Sequence, residues 1–186
     1  ALPISLGKIA IREVNTLGTI LSQMLDYIQI DNESLRTGAA IVIKDIIRTH
    51  PNCAKEVGPT IASSLPKLCS HTGRSALIWI LGHHGSVIRE APYAIEHLIL
   101  NVENENNSSV LLELLVAATK LFLIRPPEMK KMLGSLLKSL LVADDVDPDL
   151  HDRAIYIYRS LRLSVTKMGN TIHFPTHEVS NVSAGN

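Results

Sequence analysis

The stretch Ala76–Leu77–Ile78–Trp79–Ile80–Leu81 places six apolar residues in succession, with no charge and no proline among them. It lies within a longer segment, residues 74–88, that predicts a helix buried on most of its surface. A more polar helical segment, residues 53–68, precedes it. The two segments form a pair whose second helix is the more apolar, and this arrangement occurs four times along the chain.

Four helix pairs are predicted from helical spacing of the apolar residues and from Pro or Asn near the ends of the segments. Their second helices end at Thr49, Ile88, Ile124 and Leu163, which is 36–39 residues apart and typical of two-helix solenoid units. The fold class predicted is therefore all-α, an alpha-alpha superhelix of the HEAT or armadillo type. It contains about four helix pairs plus a preceding helix at Leu2–Arg12. The pairs comprise residues 15–28 and 33–49, 53–68 and 74–88, 92–102 and 108–124, and 128–142 and 148–163.

Several residues predict local irregularities within the second pair. Pro59 and Pro66 each lack a backbone donor, so a kink or a break is expected at both positions. The turn between the two helices is placed at residues 71–73. Gly82 and Gly85 are expected to lie within the second helix, where they would permit either a close approach of another helix or a local bend, with a functional hinge as a further alternative.

Composition limits the function. Apolar residues make up 46% of the chain and aromatic residues only 4%, which favours a core of packed aliphatic helices. Eighteen basic and eighteen acidic residues cancel, so no basic stripe predicts nucleic-acid binding. Cys53 and Cys69 are expected in apolar helices and in a reducing, cytosolic compartment. The apolar stretch Val110–Ile124 contains two charges, which predicts a buried helix rather than a membrane span.

The acidic cluster at residues 144–152 is the strongest candidate for a metal site, and with it for an enzyme. From Asp145 the spacing resembles a calcium loop, but Leu150 and Tyr156 stand where a glycine and a bidentate glutamate are needed. We instead expect Asp149 and Asp152 in the first turn of the last helix, where acids complement the helix dipole.

The histidines and the glycines supply no chemistry of their own. His83 and His84 are adjacent and diverge on a helix, and the glycines form no phosphate-binding loop. We predict no catalytic residue, no cofactor-binding residue, no metal site and no cofactor. Trp79 is expected to pack in the core.

Three segments carry a resemblance to a known family. They are Ile41–Ile46, Ala76–Gly82 and Pro148–Ala154, with Lys120–Leu123 between the last two. In this order they resemble the trunk of a beta-adaptin, the large beta subunit of heterotetrameric vesicle-coat adaptor complexes. The stretch Gly82–Gly85 followed by Ala91–Tyr93 looks most like the beta subunit of adaptor complex four.

The resemblance implies a domain organisation as well as a fold. Residues 1–163 are expected to be the C-terminal part of the trunk. Residues 164–186, rich in Ser, Asn and Thr, are expected to begin a flexible hinge or linker.

The resemblance further implies a structural subunit, not an enzyme, that acts in intracellular protein transport and in cargo sorting from the trans-Golgi network. Its partners would be the medium, small and second large adaptor subunits, with no nucleic acid and no small-molecule substrate. The protein would be cytoplasmic and peripheral on trans-Golgi network or coated-vesicle membranes, attached through the complex. The alternative is a generic HEAT or armadillo scaffold, or a transport receptor, outside the adaptor family.

Overall fold

A computed structural model describes residues 14–142 and 146–163, with side chains over 17–142 and 146–162. This part of the chain contains eight α-helices and no strand, and consecutive helices pack in four pairs. The predicted all-α helical solenoid is confirmed. The helices are α1 (Val14–Tyr27), α2 (Glu33–Thr49), α3 (Ala54–Ser64), α4 (His71–His83), α5 (Ala91–Leu100), α6 (Ser108–Ile124), α7 (Pro126–Val142) and α8 (Pro148–Leu163).

The second helices of the pairs stack on one another in chain order. Helix α2 packs against α4, α4 against α6, and α6 against α8, with the α4–α6 contact the most extensive. Ile43, Leu77 and Leu115 lie in successive layers and are fully buried. Burying one such aliphatic side chain contributes about 1.5–3 kcal/mol, so the continuous apolar centre of the stack is the main source of stability.

First and second helices differ in exposure in the first three pairs. Within residues 35–47, 73–83 and 110–123, which belong to α2, α4 and α6, every residue is buried or half-buried. By contrast, α5 exposes Tyr93, Glu96, His97 and Leu100. Helix α8 departs from this pattern, because it is a second helix and yet exposes Asp152, Tyr156 and Tyr158. The expectation that the second helix is the more apolar one therefore agrees with the burial of α2, α4 and α6 and is wrong for α8.

Gly82 allows α4 and α6 to approach closely. A Cβ added at Gly82 would lie 2.6 Å from both Cα and Cβ of Ala117 on α6. The expected close helix approach is thus confirmed for Gly82. Gly85 lies beyond the end of α4, so its predicted place within the helix is wrong. There, too, a Cβ would meet α6, at the side chain of Leu121.

The boundaries of α4 differ from those predicted. The helix begins at His71 instead of Arg74, because the Ser70 hydroxyl accepts a hydrogen bond from the Gly73 amide at 3.5 Å and caps the first turn. It ends at His83 instead of Ile88. Residues 71–73 are therefore the first turn of the helix and not the connection.

The two prolines of the second pair behave differently. Pro59 is exposed and lies inside α3, which continues past it, so the break predicted there does not occur. Pro66 lies in a 3-10 turn, Leu65–Lys67, that ends the helical segment, which confirms the break at that position. Cys69 is exposed and lies outside the helices, so the apolar helical setting predicted for it is wrong. Cys53 is half-buried and packs against the core, as the predicted apolar setting requires, but it lies in a 3-10 turn and not in an α-helix.

Helix α8 begins with a cap that the sequence analysis overlooked. The Asp147 carboxylate Oδ1 accepts hydrogen bonds from the amides of Asp149 at 3.0 Å and Leu150 at 3.3 Å. Asp149 lies in the first turn as expected, but Asp152 lies beyond it. The predicted helix Leu2–Arg12, the predicted hinge at 164–186, and Asp144 and Asp145 of the acidic cluster lie outside the described residues.

Helix α6 contains the whole of the apolar stretch Val110–Ile124. It packs against α4, α5, α7 and α8, which confirms a packed helix. Within residues 14–142 and 146–163, no helix has the combination of length and apolar character needed to cross a bilayer.

Candidate interaction surface

A row of half-buried polar and aromatic side chains runs across the second helices of three consecutive layers. Lys44 belongs to α2, Trp79 and His83 to α4, and Glu113 and Lys120 to α6. We call these five residues the lysine–tryptophan row. It occupies the part of α2, α4 and α6 that neither their neighbours in the stack nor the first helices cover completely.

Trp79 is half-buried and packs against the edge of the core, so the prediction of a core residue is only partly right. Its ring stacks on the imidazole of His83, with centroids 4.0 Å apart and planes inclined by 23°. The ammonium of Lys44 lies 5.7 Å from the centroid of the Trp79 ring. This distance permits a cation–π attraction, worth about 0.5–1 kcal/mol where the pair is solvated. Trp79 therefore contacts both of its neighbours in the row.

The hydrogen bonds of His83 determine its tautomer. Its Nδ1 lies 3.1 Å from the Trp79 carbonyl oxygen, which can only accept, so Nδ1 carries the proton. Nε2 is then the acceptor, and it lies 2.6 Å from the Lys120 ammonium. Burial, assisted by the positive charge of Lys120, lowers the pKa of His83 to about 4. His83 is neutral at physiological pH and links α4 to α6.

Glu113 and Lys120, the two charged residues of α6 in the row, are partly shielded from solvent. Burial raises the pKa of Glu113, although the positive charges of Lys44 and Lys120 act against that shift. Burial lowers the pKa of Lys120, opposed by the charge of Glu113. His84, adjacent to the row, also has a lowered pKa, through burial first and the charge of Lys120 second. Such perturbed groups, close together on one surface, are typical of functional sites.

Polar contacts outside the row connect consecutive layers. Glu105, whose side chain is only 8% exposed, pairs with Arg74 of the preceding layer. It also accepts a hydrogen bond from the Asn107 amide at 3.0 Å. Arg125 donates to the carbonyl oxygens of Arg89 at 2.8 Å and Ile88 at 3.4 Å. No local sequence pattern predicts the contacts of Glu105 with Arg74 and of Arg125 with Arg89 and Ile88, because these partners are 31–37 residues apart.

No metal centre is found in the part of the chain that the structure describes: no three His, Cys, Asp or Glu side chains are grouped there as ligands. Of the acidic cluster, Asp147 caps α8 and so already has a structural role. His83 is occupied by Trp79 and Lys120.

Comparison with known proteins identifies the family. The family model described as the adaptin N-terminal region matches residues 4–165. The chain belongs to the adaptin family. That match includes every described helix and all the segments on which the beta-adaptin resemblance was based.

The relatives are beta-adaptins. The chain is 32% identical over 182 residues to beta-adaptin-like protein A of Arabidopsis thaliana, covering 95% of this chain and 21% of that protein. It is 31% identical to AP-4 complex subunit beta-1 of Mus musculus, with 95% and 23% covered. It is 35% identical to AP-1 complex subunit beta-1 of Homo sapiens, with 83% and 16% covered. The predicted beta-adaptin membership is confirmed, and the chain spans about a fifth of the length of these relatives.

Proposed function

We propose that this chain is part of a structural subunit of a heterotetrameric vesicle-coat adaptor complex, and that it acts through binding and not through catalysis. The observation that supports this most strongly is the adaptin match over residues 4–165. Two of the relatives are named as subunits of the AP-4 and AP-1 complexes. Membership of the adaptin family removes the alternative of a scaffold or transport receptor outside it.

The partners we propose are the other subunits of such a complex: the medium, small and second large subunits. In this proposal the stacked second helices hold the medium subunit's N-terminal domain, and other surfaces pair with the second large subunit. A helical solenoid suits this role because its layers present one long continuous surface. Membrane association would then be peripheral, through the assembled complex.

The place of action we propose is the cytoplasmic side of the trans-Golgi network, in sorting cargo for intracellular protein transport. The domain organisation is proposed on the same grounds. Residues 1–163 form the C-terminal part of a longer trunk, and residues 164–186 begin its hinge. The relatives are four to six times longer than the matched part, so a trunk of which this is one portion fits their length.

Co-purification tests the proposal directly. The protein carries a small affinity tag and is expressed at its native level in its own cells, and the bound polypeptides are identified by mass spectrometry. We expect one medium, one small and one second large adaptor subunit in amounts close to the tagged chain. Recovery without any adaptor subunit would refute the proposed function. Imaging of the same tagged protein beside trans-Golgi and endosomal markers tests the proposed location separately.

A further inference from the structure

The second helices of the four pairs begin in the same way, and this gives the pairs a common register. The side chains of Asn32, Ser70, Asn107 and Asp147 each accept a hydrogen bond from the amide three positions later in the chain. These four residues cap α2, α4, α6 and α8. Equivalent positions in the pairs can therefore be compared by counting from the cap.

An arginine stands four positions after the cap in the first two pairs. Arg36 of α2 donates to the Lys67 carbonyl oxygen at 3.3 Å, and Arg74 of α4 pairs with Glu105. The two arginine side chains are mostly buried, with 14% and 19% of their surface exposed. Each extends to the chain just before the next cap. An arginine at this position thus fills the junction between its own pair and the next.

The third pair has Leu111 at this position, and a cleft lies at its junction with the fourth pair. The cleft has a volume of about 590 Å³, within the range of about 300–1,000 Å³ that is usual for ligand-binding clefts. Leu111, Leu140 and Leu150 line it and are at most 9% exposed. We call it the junction cleft. A leucine is shorter than an arginine, so residue 111 does not extend across this junction as the two arginines do across theirs.

The polar part of the junction cleft is acidic. Glu103, Glu105 and Asp147 line it, and none of its described lining residues is basic. Glu105 already pairs with Arg74 from the other side, and Lys138 lies with Glu103 in an adjoining groove. The cleft therefore combines an apolar wall with carboxylates, one of which accepts a guanidinium of this chain.

A single metal ion does not explain this combination. Among the described residues, no three His, Cys, Asp or Glu side chains are grouped as ligands. A long cationic side chain suits the cleft, because its carbon stem packs on apolar surface while its charged end reaches polar groups. Arginine is favoured over lysine, since the planar guanidinium matches a carboxylate with two donors. It is also the residue that the two preceding junctions contain.

We propose that the junction cleft receives an arginine side chain from another polypeptide of the assembled complex. The stem of this arginine packs against Leu111, and its guanidinium pairs with a carboxylate of the cleft. It takes the place that Arg36 and Arg74 have in the earlier junctions. The proposal rests on the proposed function for the choice of partner. It adds the site on this chain and the type of side chain that occupies it.

Arginine-directed crosslinking tests the proposal in the native complex. Ser139 lines the cleft and is replaced by cysteine in the tagged protein. A reagent with a maleimide at one end and a phenylglyoxal at the other joins the S139C thiol to a guanidinium within its reach. The complex is isolated through the tag, treated, digested and analysed by mass spectrometry. We expect position 139 to be joined to an arginine of an adaptor subunit.

A native cysteine and two substitutions of Leu111 give the controls. Cys69 is exposed and does not line the cleft, so it reports background links. Combined with S139C, L111R supplies an arginine from the chain itself and should abolish the link to the adaptor subunit. L111M keeps an apolar side chain and should preserve that link. Circular dichroism checks that both variants retain their helical content. Equal yields of the link with L111R and L111M, both folded, would overturn the proposal.

A second pair of variants tests the charges of the cleft and keeps the test decisive if L111R does not fold. E103Q combined with D147N removes two carboxylates, and asparagine at position 147 can still cap α8. Loss of a charged hydrogen bond should lower the yield of the S139C link about tenfold. The control E56Q with E96Q changes two exposed acids of α3 and α5 and should leave the yield unchanged. Equal yields with the two pairs would contradict the proposal.

The partner found by crosslinking separates this proposal from the proposed function. Links from the S139C thiol only to arginines of this chain would refute the proposal, because the cleft would then be filled internally. If no adaptor subunit co-purifies at all, the proposed function fails. If the subunits co-purify and position 139 is not linked to any of them, only this inference fails.

Discussion

Replacing Gly82 by alanine should separate two layers of the stack. The added Cβ would lie 2.6 Å from Cα and Cβ of Ala117, whereas ordinary contacts begin at 3.4 Å. Ala117 Cα is backbone and cannot rotate away, so α4 and α6 must move apart by about 1 Å in an interior that is close-packed. Overpacking of this kind costs about 1–3 kcal/mol, and a backbone obstacle places Gly82 at the upper end. Alanine returns about 1 kcal/mol through helix propensity. The net loss expected for G82A is about 2 kcal/mol.

Gly134 on α7 provides the matched control. It is also a helical glycine, but a Cβ added there meets nothing within 4 Å. G134A should therefore gain about 0.5–1 kcal/mol from helix propensity alone. Urea unfolding followed by circular dichroism measures both variants. With a slope of about 2 kcal/mol per M, the G82A midpoint should fall by about 1 M and the G134A midpoint should rise. A G82A midpoint equal to or above that of the parent chain would refute the packing argument.

Three further perturbations test other contacts. The pKa of His83 is about 4 in the folded state, below the ordinary value of 6.5, so the unfolded state binds the proton more readily. The free energy of unfolding therefore decreases as the pH is lowered from about 6.5 towards 4. Allowing for solvent screening, titration of His83 should lower the free energy of unfolding by about 1 kcal/mol between pH 7 and pH 5. The H83Q variant keeps a hydrogen-bond acceptor but does not titrate, so its free energy of unfolding, measured by urea unfolding at the two pH values, should differ by less. E105A should lower the free energy of unfolding by about 2–3 kcal/mol, because Arg74 loses its buried partner. The control E103A changes an exposed residue and should alter the free energy of unfolding by no more than about 0.5 kcal/mol. Similar losses for the two variants would contradict the buried ion pair. R125M should cost about 1–2 kcal/mol and speed amide hydrogen exchange in residues 84–90, and unchanged exchange there would count against the two hydrogen bonds.

The layered architecture could be predicted because it depends on local periodicity. Each second helix carries apolar residues at helical spacing within its own sequence, so α2, α6 and α8 are identified with their ends at or near the observed residues. The beginning of α4 is set by its Ser70 cap, and the chain that leads into this cap is held by a residue far away in the sequence. The Glu33 carboxylate accepts hydrogen bonds from the amides of Cys69 at 3.0 Å and Ser70 at 2.6 Å, which fixes the chain just before the helix.

The candidate interaction surface could be predicted only in part. Trp79 and His83 were both noticed, but as a core residue and as a residue without a specific role. Their significance comes from two lysines of other layers. Lys44 lies 35 positions from Trp79 and Lys120 lies 37 positions from His83, so each pair comes into contact only when the layers stack. Periodicity shows which face of a helix is apolar, but it does not show which polar residues of different layers come into contact.

The lysine–tryptophan row joins three consecutive layers, and this has a mechanical consequence. In a solenoid, bending is the sum of small changes in the distance between neighbouring layers. The bond from His83 to Lys120 and the contact of Lys44 with Trp79 each extend from one layer to the next, so their lengths change as soon as the stack bends. A molecule held by all three layers would bind best at one curvature and would resist deviation from it. Binding of such a molecule would therefore be thermodynamically linked to the curvature of these three layers.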